Sequence, residues 1–155
     1  MMKKILTIIL LILFLATGSA LASGSSFTIT SIVTSPAIGG VYSDSYSMVV
    51  TTQFTGDSST GVVPSLTIPN VKDMYLGWIE IIPGTITGSG GFIISDASTQ
   101  GTGDILSGQA SSKINSSFQY FNVGWIPAMD NNQTITITNS TASATGIIRL
   151  YYRCN

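Results

Sequence analysis

No histidine occurs among the 155 residues, and that one absence removes Ser-His-Asp and Cys-His catalysis and the usual zinc sites. Acid–base chemistry is left to seven Asp and Glu residues. Glu80 is the most unusual of them, because it stands between Ile79 and Ile81 in the apolar run Met74 to Ile82. A carboxylate so placed faces water at a sheet edge, pairs with a cation such as Arg149, or is buried with a raised pKa. With an aspartate it would make the carboxylate pair of a glycoside hydrolase, but no spacing selects that second residue. Gly88-Ser89-Gly90-Gly91 leads into a strand rather than a helix and has no following Lys, so it is not a phosphate loop. The expectation is a protein that is not an enzyme and carries no catalytic residues.

Binding chemistry has more material. The stretch Ser95 to Asp104 is dense in oxygen side chains and glycine, the donor set that Ca²⁺ requires, with Asp96 and Asp104 as the nominated ligands. Its spacing departs from the EF-hand loop, and Asp with Gly is equally ordinary turn chemistry, so the expected state is without a cofactor. Tyr75, Trp78, Phe118, Tyr120, Phe121 and Trp125 offer flat apolar faces for stacking on sugar rings, and Tyr75, Trp78 and Trp125 are the candidate ligand-binding residues. The competing use of large aromatics is the core. Phe118 and Tyr120 share one strand face while Phe121 points to the other, so only part of the set can form a platform. Cys154 is the single cysteine. No internal disulfide can form, and in an oxidising compartment this thiol is a candidate for an intermolecular one.

These residues are carried by a chain that opens with an export signal. Lys3 and Lys4, the apolar run Ile5 to Ala16 broken only by Thr7, and Ala20-Leu21-Ala22 read as a signal peptide over 1–22, with cleavage before Ser23. A membrane span needs about 20 apolar residues, and Gly18 and Ser19 end this run before that. The residue directly after the cleavage site is Ser23 and not Cys, which argues against a lipid anchor and for a mature chain without stable membrane insertion. Residues 23–155 then hold four basic residues against seven acidic ones. Nucleic acid is an unexpected partner for such a charge balance, because affinity there comes from clustered Lys and Arg.

Ser and Thr supply most of the polar surface, and a hydrated, nearly uncharged surface offers little electrostatic resistance to close packing. Self-association or docking on another surface protein is therefore the expected mode of action. The Met-Met-Lys-Lys start is of a bacterial kind and the expected location is secreted or extracytoplasmic, at the cell surface or in the periplasm. Sequons at Asn115, Asn132 and Asn139 would matter only in a eukaryotic secretory path.

Positioning falls to strands. Phe27 to Val33 is rich in β-branched residues, and Thr134 to Thr138 alternates strictly, which sets Ile135 and Ile137 on one face toward the core. Further runs of strand length are 46–54, 62–68, 74–82, 91–95, 118–123 and 146–152, separated by Gly, Pro, Asn and Asp clusters such as Pro36 with Gly39-Gly40 and Asp130-Asn131-Asn132. Both faces of 74–82 are largely apolar, the pattern of a central strand. About eight strands with no convincing amphipathic helix predict an all-β chain. The expected architecture is one antiparallel β-sandwich domain over 23–155, jelly-roll-like, after an N-terminal signal helix.

From about Tyr75 to Arg153 the chain resembles small structural β-sandwich proteins of tailed and metagenomic phages. The residues that carry the resemblance are Ile93-Ile94-Ser95-Asp96, Gly103-Asp104-Ile105-Leu106-Ser107-Gly108, and a final hairpin of Gln133 to Ser140 with Ala144 to Arg153. The resemblance implies a capsid decoration or tail-associated subunit without catalytic residues. Virion proteins assemble in the cytoplasm, whereas this chain opens on an export signal, so a cell-surface or appendage component built on a similar module is the expected form. The functional expectation is a non-enzymatic exported structural or adhesive subunit, with an extracellular carbohydrate-binding module as the alternative.

Overall fold

The computed structural model describes residues 24–34, 47–96 and 103–154. The expected signal helix, the turn at Pro36 to Gly40 and the centre of the Ser95–Asp104 loop lie outside these residues. Among the described residues there are eight strands and no helix: β1 (Ser26–Thr34), β2 (Met48–Thr55), β3 (Leu66–Pro69), β4 (Met74–Pro83), β5 (Gly91–Asp96), β6 (Gln119–Pro127), β7 (Asn132–Thr138) and β8 (Thr145–Cys154). They pair antiparallel in a five-stranded sheet, β1-β2-β8-β4-β6, and a three-stranded sheet, β3-β7-β5.

Alternation decides which side of each strand is covered. In β8, Gly146, Ile148, Leu150 and Tyr152 are buried while Ile147, Arg149 and Tyr151 are not. In β7, Gln133, Ile135 and Ile137 are buried between more open threonines, so the expected isoleucine face does meet the core. Val50, Phe54, Leu76, Ile79, Ile81, Ile148 and Leu150 from the larger sheet join Ile68, Phe92, Ile94 and Ile135 from the smaller one in a single apolar cluster. The strand expected at the centre and covered on both faces, β4, is paired along both edges by β8 and β6, but β8 holds the middle of the sheet and the β4 face that carries Trp78 and Glu80 stays partly open.

Two expectations need correction. The run 62–68 is a strand only from Leu66, because Pro64 offers no N–H to a ladder and the chain before it is engaged in a turn. The final hairpin does not exist as a pair: β7 bonds to β3 and β5, and β8 bonds to β2 and β4, in separate sheets. The connection between them is too long for a two-residue hairpin turn, and Asn139 (φ 54°) and Ser143 (φ 56°) turn it in left-handed conformations. Ile135 and Ile137 of β7 and Ile148, Leu150 and Tyr152 of β8 nevertheless bury in one apolar cluster.

One polar bridge crosses that core. The Tyr152 hydroxyl donates to Gln133 Oε1 at 2.8 Å, linking the two sheets between residues that are both fully buried. Burial pushes the Tyr152 hydroxyl far above the ordinary tyrosine range, with the Asp96 charge adding to the effect, so it remains a donor. Asp96 is itself buried and accepts the Met129 N–H at 2.6 Å.

A second polar anchor closes the β2–β3 connection. Asp57 Oδ1 accepts the Ser59 hydroxyl (2.6 Å), the Thr60 and Ser59 N–H groups (2.7 and 2.9 Å) and the Thr60 hydroxyl (2.9 Å). These donors, the Ser59 hydroxyl foremost, hold the carboxyl well below the usual carboxylate range. The Asp57 carbonyl accepts from Gly61 and Ser143, both at 3.0 Å, tying the loop to the β7–β8 connection. Gly61 has φ 73°, and a Cβ there would overlap the Ser140 carbonyl.

Two outcomes follow for stability. Tyr152→Phe leaves Gln133 Oε1 buried without its donor and is expected to cost about 1–3 kcal/mol, read as a lower urea midpoint at unchanged m value. Tyr151→Phe, on the opposite face of the same strand, should cost less. A depressed folded pKa contributes its full stability above the unfolded carboxyl value of about 4, and that contribution is lost progressively as pH falls from there through the lower folded value. Asp57→Asn should therefore be less stable than the parent at neutral pH, and the gap measured by urea titration should narrow below about pH 4.

Candidate functional site

The outer face of the five-stranded sheet gathers the side chains that carry chemistry. Beyond the apolar inward positions of β4 and β8, the outward ones are Trp78 and Glu80 on β4 and Arg149, Tyr151 and Arg153 on β8. Register sets Trp78 opposite Tyr151 and Glu80 opposite Arg149. On its other side β4 sets Trp78 opposite Asn122 and Glu80 opposite Tyr120 of β6. Alternation made each of these an outward residue, and the strand order made them neighbours.

Glu80 is the hub. Its Oε2 accepts from Arg149 Nη1 at 2.9 Å and from the Tyr151 hydroxyl at 2.8 Å. Of the three roles open to it, pairing with Arg149 is the one it takes. The carboxylate side chain is 14% exposed and the guanidinium side chain 37%, so the pair is shielded below and wet above. The Glu80 hydrogen bond raises the Arg149 pKa further. Tyr151 is also shifted up, first by burial and then by its bond to Glu80. Both partners therefore keep their protons through the neutral range.

Aromatic rings stand around this hub. Trp78 and Tyr120 stack at 4.8 Å between centroids with planes 11° apart, and Tyr151 meets Tyr120 edge-on at 6.3 Å and 89°. Trp125 reaches the same face through an irregularity in the ladder: β4 passes from Leu76 to Trp78 while β6 passes from Ile126 to Asn122. Gly124 (φ 87°) and Trp125 (φ 59°) adopt left-handed conformations there, and Asn122 Oδ1 caps the bulge by accepting the Gly124 N–H at 2.6 Å. The Trp125 ring lies against Gly77, where any Cβ would overlap it. Arg153 places its guanidinium carbon 3.8 Å from the Trp125 ring centroid. The indole is held between the β4 backbone and a cation.

The sequence-nominated residues are thus partly brought together. Trp78 and Trp125 share the outer face, and Tyr75 stands opposite Arg153 in the β4–β8 ladder. Phe118 lies just before β6 and is exposed, whereas Phe121 packs on the core edge with the Lys113 ammonium 5.2 Å from its ring. Tyr151 was absent from the nominated set, since nothing local distinguishes an outward tyrosine that joins a cluster from one that does not.

Asp96 and Asp104 belong to another part of the fold. Asp104 accepts the N–H groups of Leu106 (3.0 Å) and Gly108 (2.8 Å), which caps its own turn, and that of Ile94 (3.2 Å), which ties the turn to β5. No group of three or more His, Cys, Asp or Glu residues suited to a metal ion occurs among the described residues. Cys154 is exposed at the end of β8, its N–H donating to the Ser47 hydroxyl at 2.8 Å. Two surface clefts of about 260 and 220 Å³ fall below the ~300–1,000 Å³ usual for ligand pockets, and neither is lined by Trp78, Tyr120 or Tyr151.

No family model matches the chain, and no curated protein matches it.

Replacing Glu80 tests how far the face is braced from beneath. Glu80→Ala leaves the Arg149 guanidinium and the Tyr151 hydroxyl without their shared acceptor. The expected loss is about 1–2 kcal/mol, between the values for exposed and buried charged hydrogen bonds. It should come with a change in near-UV circular dichroism as the Trp78–Tyr120–Tyr151 cluster loosens. An unchanged aromatic spectrum would show that the rings do not depend on the hub.

Proposed function

We propose that this chain is an exported, non-enzymatic structural or adhesive subunit of the cell surface or of an appendage. It docks a neighbouring protein through the outer face of its five-stranded sheet. The observation that carries this reading is the aromatic cluster of Trp78, Tyr120 and Tyr151 braced by the Glu80–Arg149 pair. Trp, Tyr and Arg are the residues on which binding energy concentrates at protein interfaces, where they combine large apolar area with a polar tip. Tyr120 is 49% exposed, so apolar area remains to be covered by a partner.

A jelly-roll-like β-sandwich is the architecture that fits. From β2 onward, successive strands alternate between the sheets, and the last strand lies between β2 and β4, the arrangement expected when a long hairpin is rolled over one core. Such folds serve in capsids and in lectins alike, so the fold supports an assembly role by analogy only. The likeness to phage structural proteins points the same way, and the export signal moves the setting from a virion to the outside of a cell.

Carbohydrate binding has less support from the rings. A sugar platform needs free ring faces, but Trp125 is covered by Gly77 on one side and Arg153 on the other, and Trp78 and Tyr120 spend one face each on stacking. A reaction on this face is equally poorly served, because Glu80 is committed to Arg149 and Tyr151.

A photo-crosslinking amino acid placed at Tyr120 in the secreting cells should give discrete higher-mass protein adducts. The same group at exposed Val62, away from the cluster, should not. Equal adducts at both positions, or none at Tyr120, would refute docking through this face. A glycan array signal that Tyr120→Ala abolishes would replace the protein partner by a carbohydrate.

A further inference from the structure

The four edge strands of the two sheets are not equally protected. An edge presents unpaired N–H and C=O groups that pair readily with another strand, and folds blunt it by cover, shortness, proline, bulges or charge. The outer edge of β5 is covered: Ile105 donates to Ile94, Phe92 to Ala110, and Gly90 and Ile114 exchange both bonds, all between 2.7 and 3.2 Å. The edge strand β3 is only four residues long and ends on Pro69. The remaining edge of the larger sheet beyond β4 is β6, which is broken by the bulge at Gly124 and Trp125 and ends on Pro127.

By contrast β1 spans nine residues, Ser-Phe-Thr-Ile-Thr-Ser-Ile-Val-Thr, without proline or charge. Its ladder to β2 has one irregularity, between Ile29 and Ser31, and its other side has no ladder partner among the described residues. Beyond that irregularity every residue from Ser31 to Thr34 is exposed, including Ile32 at 43% and Val33 at 60%.

We infer that β1 pairs antiparallel with β1 of a second copy of this chain, through Ser31–Thr34, so that the two five-stranded sheets run on as one across a twofold axis. A second copy is favoured over an unrelated strand by symmetry. In an isologous edge pairing each strand offers the other the same donors and acceptors. Any charge near the axis would face its own copy, and β1 has none. Thr34 and Ser31 supply hydroxyls for cross-strand contacts, and pairing covers the exposed Ile32 and Val33. The proposal extends the assembly reading but uses an edge, not the aromatic face, so the two can fail separately.

Sedimentation equilibrium of residues 23–155 over a wide concentration range is expected to show a reversible monomer–dimer equilibrium. Val33→Lys sets like charges close together across the axis and should weaken the dimer by roughly tenfold or more. Tyr120→Ala should leave it intact. Because Val33 is exposed, its replacement spares the core, and hydrogen exchange on the parent chain gives a second reading that needs no variant. The amides of 31–34 that point away from β2, every second one along the strand, should be protected at high concentration and lose that protection on dilution. A strict monomer, a dimer indifferent to Val33→Lys, a dimer dissolved by Tyr120→Ala, or protection that persists on dilution would each overturn the edge pairing. Of these, a monomer that still crosslinks at Tyr120 would refute the edge and leave the aromatic face standing.

Discussion

Strand β8 cannot slip by one residue. It is paired along both sides, to β2 and to β4, and its alternation sends Ile148, Leu150 and Tyr152 inward and Arg149, Tyr151 and Arg153 outward. A shift of one position would drive Arg149 and Arg153 into an apolar core, at a cost no hydrogen bond in this fold could offset. With a single cysteine and few charges, the chain can form no internal disulfide and has little charge from which to build ion pairs. The register of this central strand therefore positions both faces of the larger sheet at once. Inward it delivers Tyr152 to Gln133 across the core, and outward it delivers Arg149 and Tyr151 to Glu80.

The outer face depends on a second constraint, the contact between Gly77 and Trp125. A glycine in a strand interior ordinarily weakens it, yet here the missing side chain lets an indole lie on the β4 backbone. The bulge in β6 turns Trp125 toward that gap, and Arg153 closes over the other side of the ring. Irregular ladder, left-handed Trp125 and glycine belong together as one device, and none of them is explained by the stability of a regular sheet alone.

A nearly uncharged chain must handle its exposed backbone by other means than lysine at its edges. Cover by the segment after Asp104, short length, proline and a bulge protect three of the edges. Those devices are local and geometric, which suits a surface made of Ser and Thr. The same composition lowers repulsion between copies, so edge geometry rather than net charge governs which surfaces can meet.

How much of this was legible in the sequence depends on the range of the interaction. Strand positions and the inward isoleucines of β7 follow from residues two apart on one strand, so period-two burial is written locally and was readable, whereas the apolar run of β4 pointed to a central place that β8 takes. The Glu80–Arg149 pair was readable as one of three options, because an outward acid between isoleucines needs a partner or water. Sheet membership was not: β7 and β8 are neighbours in sequence and lie in separate sheets, since each finds its partners in strands far away along the chain. The sequence by itself determined an all-β chain with one apolar side to each main strand. Only the tertiary structure decided which outward residues meet, because Trp78 with Tyr120 and Gly77 with Trp125 become neighbours through strand order and a bulge, which depend on the whole set of pairings rather than on any one segment.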